Sequence, residues 1–175
     1  MKFKTENTEH DVNKENEMNK SLYDLFIDII TLEYQKYSLI LSLKFYFSLN
    51  GDLKKKKFFS QLFKGCEMVK YKFISFLIHN MKDVPDFEIP KLKIDFENAI
   101  QPFEMMAKME DKYFDKLNEI ATKAYEEKDF NAAAFVMPYI QNFDHICCKA
   151  LSAVKNDCDP NLYFDENYCA RKTSS

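Results

Sequence analysis

Two carboxylates in this chain fall where a helix would turn them inward. Glu33 follows Ile29 and Ile30 by one helical turn and precedes Tyr37 and Ile40. Glu110 has Phe103, Met106, Tyr113, Phe114 and Leu117 around it at helical spacing. An acid on an apolar stripe must take a proton, a hydrogen bond, a cation or a metal, because a lone buried charge is costly. Acids facing one another inside a helical bundle are how di-iron carboxylate sites are built. The same pattern fits an acid near the bundle edge that bonds Tyr37, Tyr113 or a lysine. His145 and Asp144, on the expected fourth helix, carry further donor atoms, and a satisfied or exposed histidine fits His145 equally well. Glu33, Glu110 and His145 are therefore the candidate metal ligands. His79 lies near the end of its helix, where a cation suits the dipole.

The elements that must position these residues are helices. A polar, aperiodic stretch over residues 1–18 reads as a disordered tail. A bundle is expected over 19–156, and a short fifth helix with a tail over 157–175. Leu22, Leu25, Ile29, Leu32, Tyr37, Ile40, Leu43 and Phe47 give the first helix, from about Asn19 to Ser48. Asn50-Gly51 stops it, and Asp52 can cap a second helix from about Leu53 to Met81. A connection of about 20 residues carries Pro85 and Pro90. Extended, it reaches about 60 Å, longer than the ~42 Å of a 28-residue helix. It can therefore cross the bundle and leave helices two and three parallel. The third helix is expected from Gln101-Pro102 to about Lys128. The fourth is expected as one helix from about Phe130 to Asn156, capped by Asp129 and kinked at Pro138. The fold class is thus all-α: a four-helix bundle with one long crossover and a short C-terminal helix.

Composition agrees. The 175 residues are 46% hydrophobic, enough for one core, and hold only two glycines and five prolines, too few for a turn-rich β protein. Net charge is −3, so overall charge selects no partner. The block Lys54 to Lys57 is a local exception. It reads as a solvated face or as an anion site for phosphate or nucleic acid. Five cysteines without CxxC spacing read as reduced thiols of a cytoplasmic protein. The N-terminus has no apolar signal-peptide core, and no stretch is long and apolar enough for a membrane span. Phosphate-loop, zinc-type Cys/His and nucleophile-elbow motifs are missing from the sequence.

Several segments resemble the ferritin family, specifically the bacterial-type, non-haem ferritins. These are "TLEYQKYSLILSL", "FFSQL", "EDKYFDKLNEIATKAYEEKDFNAAAFVMPYIQ" and "LYFDENY", in family order over residues 20–170. The resemblance implies a ferritin-like four-helix bundle, binding and storage of iron (Fe2+/Fe3+), and a homo-oligomer forming a 24-subunit shell. It also implies a dinuclear ferroxidase centre. Carried onto this chain, the helix-one and helix-three glutamates of that centre are Glu33 and Glu110. The family's helix-two Glu-x-x-His falls on Cys66 and Val69, and its helix-four ligands fall on Phe143 and Ile146. Val69, Phe143 and Ile146 have no donor atom. Cys66 carries a thiol that iron and oxygen would oxidise. The expectation is an iron-binding cage subunit with little or no ferroxidase activity. The alternative is a non-enzymatic protective cage that binds phosphate or nucleic acid through its lysine-rich helix.

Overall fold

The computed structural model describes residues 21–81 and 96–164. The N-terminal tail, most of the long connection and the segment from residue 165 onward lie outside the described residues. Among the described residues every regular element is helical. They are α1 (Leu22–Leu49), α2 (Leu53–Met81), α3 (Gln101–Glu126), α4 (Phe130–Gln141), α5 (Ile146–Lys155) and a 3-10 turn (Pro160–Tyr163). No helix among them is long and apolar enough to cross a membrane.

Local chemistry accounts for the ends. Ser21 and Asp24 form a reciprocal capping box at the start of α1. Gly51 adopts φ +71° in the link to α2, the left-handed conformation that glycine reaches without steric cost. Space around a Cβ at this position is open. Gly51→Ala should therefore carry only backbone strain, about 1–2 kcal/mol. Urea denaturation of the variant checks this; an unchanged midpoint would show that the link relaxes. Asp52 Oδ1 accepts from the Lys55 N–H at 3.1 Å and caps α2. Pro102 sits in the first turn of α3, and Asp129 Oδ1 accepts from the Ala132 N–H at 3.0 Å to cap α4.

The fourth helix differs from expectation. It is two helices, α4 and α5, separated by residues 142–145, rather than one kinked helix from Phe130 to Asn156. Pro138 stays inside α4, and the chain breaks only after Gln141. Asn142 turns back on Pro138, its backbone N–H and its side-chain amide both donating to the Pro138 carbonyl. His145 then takes the left-handed conformation, φ 43° and ψ 42°. Within the segment expected to hold a short C-terminal helix, Pro160–Tyr163 form a 3-10 turn, where Asp159 Oδ1 accepts from the Asn161 N–H, and the part from residue 165 onward lies outside the described residues.

Side-chain pairs fix the helix directions. Phe26 meets Phe76, and Phe47 stacks on Phe59, so α1 and α2 are antiparallel. Phe47 also meets Phe103, Lys36 lies over Tyr113, and Lys116 pairs with Asp28, so α1 and α3 are antiparallel. Helices α2 and α3 therefore run parallel, as a crossover along the bundle requires. Glu104 pairs with Lys155, and Glu110 meets Cys147, so α5 runs back along α3. Large rings fill the space between α2 and α4, where Phe73 and Phe76 contact Phe135.

The core divides in two. One apolar cluster gathers Phe26, Ile29, Phe73, Leu117 and Val136. The other gathers Ile40, Phe47, Phe58, Phe103 and Ala150. Each buries several side chains completely, at about 1.5–3 kcal/mol apiece. Glu33 and Glu110 fall in sequence between the two clusters, and both are buried.

Candidate functional site

A cavity of about 50 Å³ lies at this mid-bundle level. Glu33, Cys66, Val69, Glu110, Phe143 and Ile146 all line it. The six positions singled out in the sequence thus converge on one place. Gly65, Lys36, Tyr113, Tyr139 and Cys147 complete much of the wall. Glu33 Oε2 and the hydroxyls of Tyr113 and Tyr139 have no hydrogen-bond partner in the protein. The cavity is large enough for roughly three waters, which could satisfy them.

Glu33 is fully buried, and its counter-charge is Lys36. Lys36 Nζ donates to Glu33 Oε1 at 2.5 Å and lies 4.2 Å from the centre of the Tyr113 ring. Three residues separate the two on α1, so the helix itself brings them together. Burial disfavours the Lys36 ammonium. The Cys66 sulfur and the Glu33 carboxylate outweigh that penalty and hold the amine above its ordinary value of 10.5. Lys36 therefore carries its charge at neutral pH inside the bundle. Burial, then Glu33, pushes the Tyr113 hydroxyl well above its usual range and Tyr139 up to about 12.

Glu110 has a different role. Its Oε2 accepts from the backbone N–H groups of Cys147 and Cys148 at 2.9 and 3.1 Å. These are orphan donors of the first turn of α5, and the His145 side chain makes no capping bond there. A carboxylate from α3 thus caps α5 across the bundle, in the charge-assisted geometry that suits a helix N-terminus. The cap also explains why the fourth helix can break: the new end has a ready partner.

His145 sits at this break. Its ring meets Phe114 and Phe143 edge-on, and Nδ1 is 3.9 Å from Asp111 Oδ1. It is close to Glu110 but belongs to a different group from Glu33. Asp144 pairs with Lys149 at 2.8 Å. The adjacent cysteines diverge. Cys147 is buried and lines the cavity, whereas Cys148 Sγ reaches to 3.6 Å from Asp111 Oδ1. Burial, then Glu110, pushes the Cys147 thiol well above its ordinary value. Burial, Glu110 and Asp111 push Cys148 up to about 12. Both remain protonated at neutral pH and are weak nucleophiles. No disulfide joins the described cysteines.

Two residues of the lysine block make local contacts. Lys55 pairs with Asp52, and the Lys54 carbonyl accepts from the Asn161 amide at 2.9 Å. Hydrogen bonds from Asn161, with Lys54 and Lys57 nearby, hold the Asp159 carboxyl below the usual carboxylate range. His79 Nδ1 contacts the Ser75 carbonyl at 2.6 Å, one turn back on its own helix.

Sequence reasoning missed Lys36, Asp111, Cys148 and Tyr139 as parts of the site. The Glu33–Lys36 spacing was a usable signal for the first. The others depend on where α4 ends. No family model matches the chain, and no curated protein matches it significantly.

Proposed function

We propose that this chain is a ferritin-like bundle subunit that binds or stores iron in an assembled shell without oxidising it. Support for the ferritin-like arrangement comes from the helix directions and from the convergence of six expected centre positions on one mid-bundle cavity. The observation that carries the inactive reading is the Lys36 ammonium on Glu33 at 2.5 Å inside that cavity. A dinuclear iron centre does not fit these residues. The Lys36 ammonium takes Glu33 Oε1 and puts a positive charge in the cavity, Glu110 spends Oε2 on two amides, and Val69, Phe143 and Ile146 offer no donor. Fe(II) also prefers oxygen and imidazole ligands in an open site.

Stopped-flow mixing of the purified protein with Fe(II) in air tests this. The expected trace has no fast phase. A fast phase saturating at the stoichiometry of a dinuclear centre would overturn the inactive reading. Native mass measurement tests the shell: a high-order closed assembly is expected, and a monomer at working concentration would remove the cage.

A further inference from the structure

From the geometry at the α4–α5 break we infer that Glu110, His145 and Cys148, with Asp111 beside them, form a site for one borderline-soft divalent ion, Zn2+ by preference. One ligand atom from each of the first three lies within 4.8 Å of those of the other two. Asp111 Oδ1 is 3.6 Å from Cys148 Sγ and 3.9 Å from His145 Nδ1, so a fourth donor is at hand. Zinc bonds of about 2.0–2.3 Å place tetrahedral ligands about 3.5 Å apart, which asks these side chains to close by about 1 Å.

The donor set decides the metal. Sulfur, imidazole and carboxylate together suit zinc or cobalt and disfavour the all-oxygen ions magnesium and calcium. The donors are also held in place. Two amides fix the Glu110 carboxylate through Oε2. Phe114 and Phe143 flank the His145 ring. The left-handed backbone at His145 is a strained conformation for a residue with a Cβ, of the kind found at ligand sites. The N-terminus of α5 repels a cation, and the charges of Glu110 and Asp111 offset that. Binding releases the Cys148 thiol proton to solvent as the metal–sulfur bond forms. His145 and Asp111 are partly exposed, which gives the ion a path in. This site does not use the Glu33–Lys36 pair, so its test is independent of the ferroxidase reading.

The full chain, stripped of metal with a chelator, is titrated with Co2+ alone. Thiolate-to-cobalt absorption in the near ultraviolet should rise to one equivalent, and added Zn2+ should bleach it. Cys148→Ser should abolish the band. His145→Gly should weaken Co2+ binding at least about tenfold. The His145→Gly variant should still fold, because glycine suits the left-handed backbone at this position. Cys66→Ser and Cys158→Ser should leave the band intact. A wild-type protein with no such band, a band that survives in the Cys148→Ser variant, or unchanged Co2+ binding in the His145→Gly variant would overturn the site.

Discussion

Lys36→Met should destabilise the protein by about 3–5 kcal/mol, because it leaves the Glu33 carboxylate buried without a counter-charge. Glu33 is fully buried, and Lys36 is its one ion-pair partner among the described residues. Loss of the ammonium over the Tyr113 ring adds to the effect, by about 0.5–2 kcal/mol for a cation–π contact. Urea denaturation at neutral pH gives the number. The double variant Lys36→Met/Glu33→Gln should recover much of the loss, because no charge is then left buried. A single-variant loss below about 1 kcal/mol would mean that Glu33 is satisfied in another way.

The pH dependence has a definite sign. The folded protein holds the Lys36 proton more tightly than the unfolded chain does. Its contribution is therefore fully present below the ordinary lysine value of 10.5 and is lost as pH rises through the raised value. The wild-type–variant difference should shrink under strongly alkaline conditions, as Lys36 loses its proton. A difference that vanished near neutrality would show that Lys36 is not charged in the folded state. Fe(II) oxidation should remain absent in Lys36→Met, since Val69, Phe143 and Ile146 still offer no donors.

Glu110→Ala should cost about 2–4 kcal/mol, the loss of two hydrogen bonds to a charged acceptor from a mostly buried helix end. The damage should centre on α5. Amide exchange at Cys147 and Cys148 should accelerate more than exchange in α1, because these N–H groups lose their acceptor. Glu110→Gln keeps an acceptor oxygen and should lose less. Equal losses in the two variants would mean that packing, rather than the cap, is what Glu110 supplies. Exchange at α5 left unchanged in Glu110→Ala would remove the cap altogether.

The helical class, the link at Asn50-Gly51, the caps at Asp52 and Asp129, and the inward turn of Glu33 and Glu110 were legible in the residues. Each follows from spacing within a few turns of chain. The fourth helix was expected to run on to Asn156 with a kink at Pro138, and it instead breaks after Gln141. Pro138 looks like the breaker, but a helix tolerates the loss of one carbonyl partner when the next turns hold, and α4 continues to Gln141. The α5 N-terminus receives its cap from Glu110, 37 residues upstream of Cys147, and no local rule contains that contact.

The sequence by itself determined that two acids, Glu33 and Glu110, would be turned inward in a helical bundle. Periodicity carries that much, because a helix turns the same residues inward whatever surrounds it. Only the tertiary structure decided what each acid does. Glu33 is neutralised by Lys36 from its own helix, Glu110 caps α5, and His145 with Cys148 gathers beside Glu110 rather than beside Glu33. The physical reason is that a buried charge must be compensated by a partner that the packing places within reach. For Glu110 that partner is set by the break in the chain facing α3.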